Sequence, residues 1–361
     1  MSGVWGKNIK LSIFGESHGR AIGITIDGLE PGIELDIDAI KKEMARRAPG
    51  RSPLATARKE SDTFEILSGY FNDRTTGTPL CAIIRNTDEH SKDYGNLKTL
   101  MRPGHADYTG NVRYNGFNDY RGGGHFSGRI TAPLVFAGAI AKQILSAKGI
   151  TIGSHIISIE KIHEPSFEDI NLTDEILKKL SEEAFPVIEK ETGTKMQELI
   201  LQVKKDLDSV GGIIETAILN LPPGIGSPFF DSVESHLSEL IFSIPGAKGL
   251  EFGKGFDITS LKGSEANDEF YIEEDIIKTR SNNNGGILGG ITNGMPLVFR
   301  TAIKPTASIS IPQHTIDIRK RENAELLVKG RHDPCIVPRA VPVIEASAAI
   351  AILDLILDIK Y

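Results

Sequence analysis

The chain has 361 residues, 25% of them charged and 40% hydrophobic, the composition of a folded globular protein rather than a disordered one. Its formal net charge of -7 argues against nucleic acid as a general partner, because neutralising phosphates needs a basic face; a small anion is not excluded, since local arginine clusters decide that. Only two cysteines occur, Cys81 and Cys335, without CxxC spacing, so no disulfide framework or zinc ribbon is expected and a reducing, cytoplasmic compartment fits.

Met1 to Phe14 carry Lys7 and Lys10 and lack the apolar run of a signal peptide. A strand is expected over Gly23 to Ile26, then a charged amphipathic helix from Asp36 to about Arg47 that stops at Pro49-Gly50. Leu80 to Ile84 reads as a strand. After Arg129 an Ala- and Gly-rich apolar helix continues through Leu145 and breaks at Gly149. Thr173 is placed to cap a helix with Asp174 and Glu175 in its first turn and Ile176, Leu177 and Leu180 on one stripe. Gly212 to Leu219 is another strand. Asp231 and Glu234 form a capping-box-like pair beside Val233, Leu237, Leu240 and Ile241, which recur at helical spacing. Pro296 to Thr301 is the last strand expected. The apolar stretch Val341 to Leu357 contains Glu345 and Asp354 and falls short of the roughly 20 apolar residues of a membrane span, so it reads as a buried helix and no membrane partner is expected.

The chain also repeats itself. Gly28-Leu-Glu-Pro-Gly-Ile33 resembles Asn220-Leu-Pro-Pro-Gly-Ile225, and Thr75-Thr-Gly-Thr-Pro-Leu80 resembles Thr292-Asn-Gly-Met-Pro-Leu297. Val135 to Ala141 parallels Glu345 to Ala351, with Arg129 and Arg339 ahead of them. The order is the same in both halves, roughly 1–150 and 200–361. That pattern predicts one large domain, 1–361, built from two similar strand–helix–strand units about a pseudo-twofold axis.

Signatures of P-loops, HExxH metalloproteases and EF-hands are absent, and no metal is expected. The glycines of Arg121-Gly-Gly-Gly-His-Phe-Ser-Gly-Arg129 precede a helix, where small residues let backbone N–H groups approach an anion and the helix dipole favours it. Other loops share this character: Gly15-Glu-Ser-His-Gly19, Arg46-Arg47-Ala-Pro-Gly-Arg51, Arg102-Pro-Gly-His-Ala-Asp-Tyr108 and Gly330-Arg-His-Asp-Pro334. Arginine's planar fork suits phosphate and carboxylate, and histidine gives and takes protons near neutral pH. Each loop alone also has a plain structural reading: a tight connection, a helix C-cap for Arg46, Arg47 and Arg51, a turn at Asp333-Pro334. His90, His155, His163, His236 and His314 lie in segments without such company. Together the loops describe an anion pocket with acid–base groups.

In order and approximate spacing, GESHG at 15–19, RPGHADY at 102–108, DYRGGG at 119–124, GGILGGITNG at 285–294, KPTAS at 304–308 and GRHDPC at 330–335 resemble the chorismate synthase family over nearly the whole chain. The resemblance implies an α+β fold, with helices sandwiched between antiparallel sheets, and usually a homotetramer. It implies a lyase that converts 5-enolpyruvylshikimate 3-phosphate to chorismate and phosphate by 1,4-trans elimination, needing reduced FMN without net redox change. No dinucleotide fingerprint is visible, so an external flavin reductase would supply the electrons. Carried over, His18 would protonate the leaving phosphate, His105 would act on the reduced flavin ring, and Asp333 would relay a proton at its N5. Ser17, Arg47, Arg51, Arg102, Ser127, Arg129 and Arg331 would bind substrate. The flavin would lie against His125, Phe126, Ser127, Pro245, Gly246, Gly289, Lys304, Pro305, Thr306, Ala307, Ser308 and Arg331. The sequence departs from the commoner family pattern where His125-Phe126 stands for Arg-Ser, Pro245-Gly246 for Asn-Ala, and Pro53 for an arginine whose contact Arg51 could take over. A flavin-independent phosphohydrolase or a non-catalytic anion-binding protein is the alternative reading; flavin affinity that rises with substrate would speak against both.

Overall fold

The computed structural model describes residues 3–50, 54, 62–87, 98–328 and 332–358. A first antiparallel sheet is built from β1 (Val4–Trp5), β2 (Lys10–Gly15), β3 (Ala21–Asp27), β4 (Phe64–Ser68) and β5 (Leu80–Arg85), in the order β1-β2-β3-β5-β4. A second contains β6 (Thr151–Ile159), β7 (Ile162–His163), β8 (Gly212–Leu219), β9 (Ala247–Phe252) and β10 (Leu297–Ile303), in the order β9-β10-β8-β6-β7. The helices are α1 (Ile37–Arg47), α2 (Asp107–Arg113), α3 (Thr131–Ser146), α4 (Asp174–Glu182), α5 (Lys190–Lys205), α6 (Val233–Ser243) and α7 (Val337–Asp358).

Helices α3 and α7 form the middle layer. Both are buried on nearly every face, as expected of helices without a polar side, and α3 packs on the first sheet while α7 packs on the second. They cross where Gly138 faces Ala346; a side chain on Gly138 would overlap Ala346, so glycine sets the closeness of the crossing. By length and hydropathy α7 could cross a membrane, but 83% of its apolar window is buried inside the protein, which makes it a core helix. Its Glu345 is wholly buried and accepts from Arg46 on α1 (2.6 and 3.0 Å) and from Lys142 on α3 (2.8 Å). One carboxylate thus ties three helices together.

The repeated sequence strings adopt the same local geometry. Gly32 N donates to Thr75 O at 2.8 Å and Ile33 N to Thr75 Oγ1 at 3.0 Å; Gly224 N donates to Thr292 O and Ile225 N to Thr292 Oγ1, both at 2.9 Å. Each threonine hydroxyl donates back, to Glu30 O and to Pro222 O. In each half the strands run in the order of β2-β3-β5-β4 or β6-β8-β10-β9, with α1 and α3, or α6 and α7, inserted at matching points.

The expected helices at 36–47, 129–145 and 341–357 match α1, α3 and α7, and Thr173 Oγ1 caps α4 by accepting from Ile176 N at 3.4 Å. The start of α6 differs. Ser232 is its N-cap, accepting from Ser235 N at 3.1 Å, while the Asp231 carboxylate turns to Lys7 and His236. The last strand begins at Leu297 rather than Pro296, because proline has no N–H for the ladder. Strand β6 gives little sign of itself in sequence: Gly153, Ser154 and His155 look like a loop. Burial with paired hydrogen bonds accommodates them, Ser154 with Thr216 and His155 between Glu164 and Glu215.

Candidate active site

Strand β2 ends at Gly15, whose φ of +99° and close approach to the Ala21 carbonyl leave no room for a side chain. The turn 16–19 follows and is pinned by Asn86, just past β5, whose Nδ2 donates to Glu16 O (3.0 Å) and Gly19 O (2.8 Å). His18 is thereby held, almost fully buried, with Nδ1 3.1 Å from Ser17 Oγ. Ser17 also docks on the glycine turn, its Oγ reaching the carbonyls of Arg121 and Gly122 and its N–H donating to Gly124 O at 3.2 Å.

Gly122, Gly123 and Gly124 take φ of +57°, +88° and +54° in succession. A side chain at Gly122 would overlap the His18 ring, and one at Gly123 would lie 3.2 Å from Cε1 and Nε2 of His105. The two imidazoles, distant in sequence, therefore flank one bare backbone turn. Behind it Ser127 Oγ accepts from Arg129 N at 3.3 Å, and α3 begins at Thr131.

His105 follows the turn Arg102–Gly104, with Nδ1 2.7 Å from Asp107 Oδ1. Arg102 is buried and committed to Asp107 through Nε (2.7 Å) and Nη2 (2.8 Å), and to Ser308 Oγ through Nη1 (3.1 Å). Burial raises the Asp107 pKa, but Arg102 and His105 outweigh it and hold the carboxyl well below the usual range. The structure thus gives Arg102 a carboxylate partner within the chain. Its place is behind His105.

A second charge cluster collects Arg47, Asp62 and Arg129. Asp62 Oδ2 accepts from Arg47 Nε at 2.6 Å and its Oδ1 from Arg129 Nη1, with all three side chains buried; Arg129 Nε donates to Asn86 Oδ1 at 3.2 Å. Burial lowers the Arg47 pKa, Asp62 opposes that, and the neighbouring Arg339 and Arg129 lower it further, to about 10; the group remains cationic at neutral pH. Asp333 joins this side of the site: it accepts from Arg339 Nη1 at 2.7 Å, and Arg339 Nε donates to Arg47 O at 3.1 Å. Asp333 therefore adjoins the arginines and makes its contact through Arg339. Arg51 and Arg331 lie outside the described residues.

The segment Lys304–Ser308 closes the site on the His105 side. Lys304 Nζ donates to Gly104 O, and Lys304 N to Gly246 O at 2.9 Å, which brings Pro245-Gly246 alongside. Burial and the nearby Lys248 lower the Lys304 pKa. The Thr306 hydroxyl is buried without a hydrogen-bond partner among the described residues. A pair of cations, an unanswered hydroxyl and bare glycine backbone fit an anionic, polar cofactor such as reduced FMN.

Three other expected flavin contacts have partners or places of their own. His125 is exposed and its Nδ1 donates to Gly15 O at 2.8 Å, so that nitrogen is already used. The Phe126 ring lies on Gly110 of α2, 6.2 Å from the ring of Tyr114. Gly289 sits in the hairpin 287–292 against the start of α6, at the opposite end of β10 from Lys304, so within one chain it is not brought to this cluster. Asp62, Asn86, Asp107 and Arg339 are the residues that the sequence reading leaves out. Asp107 had a signal, two places after His105 in the same motif; Asp62 had none.

His105→Ala is expected to lower turnover by about 10²–10⁴-fold and to leave the thermal transition in place, because the ring is partly exposed and Asp107 keeps Arg102. Loss of that transition would make the histidine structural.

A family model described as chorismate synthase matches residues 9–357. A chorismate synthase of Thermococcus kodakarensis is 45% identical over 349 residues, covering 97% of this chain and 96% of its own. One from Dehalococcoides mccartyi is 45% identical over 359 residues, covering 99% and 97%. Among solved structures, one titled as a crystal structure of chorismate synthase superposes with a TM-score of 0.77 at 29% identity, covering 98% of this chain and 93% of the other.

Proposed function

The chain belongs to the chorismate synthase family, and from that we propose that it performs that family's reaction at the glycine turn around Gly122 and Gly123. The enzyme is a lyase: it converts 5-enolpyruvylshikimate 3-phosphate to chorismate and phosphate, a 1,4-trans elimination in aromatic biosynthesis. The observation that supports the site is the pair of imidazoles, His18 and His105, on the two sides of one glycine turn. Neither a phosphohydrolase nor a non-catalytic anion-binding protein is favoured.

The substrate carries a phosphate and two carboxylates, and the buried arginines Arg47 and Arg129 both contact Asp62. Their guanidinium groups suit an anion. His18, held by Ser17, would give a proton to the departing phosphate. His105 holds its ring on the opposite side of the turn, and Asp333, ion-paired with Arg339, would help relay a proton at the flavin N5. Ser127 offers a hydroxyl between them. Lys304, Pro305, Thr306, Ala307 and Ser308, with Gly246, would hold reduced FMN. When bound, that cofactor supplies an electron-rich ring that assists loss of phosphate without net redox change. Arg102 acts from behind His105.

We propose too that the enzyme draws its reduced flavin from an external reductase, works in the cytoplasm and assembles as a homotetramer. Exposed apolar side chains such as Phe229, Phe230, Ile272 and Ile276 support assembly. NADPH-driven FMN reduction by the pure protein would refute the external reductase.

The reaction is tested anaerobically with purified protein, FMN reduced by dithionite, and 5-enolpyruvylshikimate 3-phosphate. Phosphate and chorismate should appear together, and only with reduced flavin. Phosphate without chorismate would mark a hydrolase, and neither product would mean the pocket has another substrate.

A further inference from the structure

His105 stands between two groups with opposite demands on its Nδ1. Asp107 Oδ1 lies 2.7 Å away and only accepts; Arg102 Nη2 lies 3.2 Å away and only donates. If Nδ1 carried a lone pair, that pair would face a carboxylate oxygen at 2.7 Å, a repulsion that a long contact to a guanidinium does not offset. Arg102 Nη2 has in any case a better acceptor, Asp107 Oδ1 at 2.8 Å. The proton therefore belongs on Nδ1, between the ring and Asp107.

The carboxylate has little freedom to turn away. Arg102 grips both of its oxygens and donates its backbone N–H to Oδ2 at 3.1 Å, and the Asp107 side chain is 5% exposed. Asp107 also opens helix α2, where the dipole favours a negative charge. On the other side of the ring, Nε2 faces the bare backbone of Gly123, at a spot where a side chain would come within 3.2 Å.

We propose that Asp107 is a positioning residue, holding His105 as the Nδ1–H tautomer so that Nε2 is the nitrogen that exchanges protons with a ligand bound over the glycine turn. The same Arg102 that fixes Asp107 donates to Ser308, so the dyad and the Lys304–Ser308 segment share one anchor. This inference rests on the catalytic assignment of His105 above. Its first test does not.

In protein labelled with ¹⁵N-histidine, the His105 signal, identified by its loss in His105→Gln, should show in the neutral ring a protonated Nδ1 and a pyridine-type Nε2. The opposite tautomer overturns the proposal. That spectrum needs no activity, so it separates a failure of this inference from a failure of the assigned reaction. Asp107→Asn should then lower kcat by about 10–100-fold, the range expected when the partner orienting an imidazole is lost. KM for 5-enolpyruvylshikimate 3-phosphate should stay near the original, and the tautomer signal should change. A variant with unaltered kcat and unaltered tautomer would refute the role, as would a loss of kcat that only follows a loss of folded protein. If the variant does not fold, the spectrum of the unaltered protein still decides.

Discussion

Gly122→Ala is expected to cost about 10²-fold in kcat, although alanine adds only a methyl group. At this position φ is +57°, a conformation that costs an L-residue roughly 1–2 kcal/mol. The added carbon would overlap Cε1 and Nδ1 of His18, which is almost fully buried and tied on its other side to Ser17. The ring must move, and a misplacement of about an ångström of a proton-transferring group is enough for a loss of that size. At Gly123 the corresponding carbon would lie 3.2 Å from His105, so Gly123→Ala should cost less. A double-mutant cycle makes the argument decisive: in a His18→Ala background the Gly122→Ala penalty should largely vanish. If the two losses multiply, glycine is needed for something other than the seat of His18.

Glu345→Gln is expected to destabilise the fold by about 3–5 kcal/mol, because breaking a buried ion pair strands its partners. The Glu345 side chain is wholly buried and its ligands Arg46 and Lys142 are only slightly exposed, so solvent screening does little to soften the loss. Among the described residues only Glu43, 3.0 Å from Arg46 and 3.1 Å from Lys142, would remain to balance two cations. At about 2.1 cal/mol/K of unfolding entropy per residue, this corresponds to a fall in Tm of about 4–7 °C. The pH dependence follows from the same network. Burial alone would raise the Glu345 pKa, but Arg46 and Lys142 pull it well below the ordinary value. The stabilisation is therefore present above the unfolded-state pKa of about 4.3 and is lost as the pH falls through the lower folded-state value. Denaturant titrations at pH 7 and pH 3 should show the difference between the two proteins shrinking at acid pH. A penalty unchanged between the two would mean that Glu345 contributes by shape rather than charge.

How far the sequence reaches can be judged element by element. Helices α1 and α3 and the strands at 23–26, 80–84 and 212–219 carry local periodicity or caps, and the structure has them there. Strand β6 does not, because its polar residues are satisfied by Thr216, Glu164 and Glu215 from other parts of the chain. The same contrast runs through the site. The motifs around His18, His105 and Gly122 are visible as strings of small and ionisable residues. That Arg102 turns inward to Asp107, that His125 bonds to Gly15, and that Gly289 lies at the far end of β10 are not.

By itself the sequence determined the chemical inventory and its family: glycine turns, histidines, arginines, a net negative charge, and two halves of matching pattern. Those properties reside in residue identity and short-range spacing, so they are legible along the chain. Only the tertiary structure decided which arginine faces a carboxylate and which carboxylate stands behind which imidazole. Buried charges must find partners, and the nearest one in space, Asp62 for Arg129 or Glu345 for Arg46, comes from a segment far away in the chain.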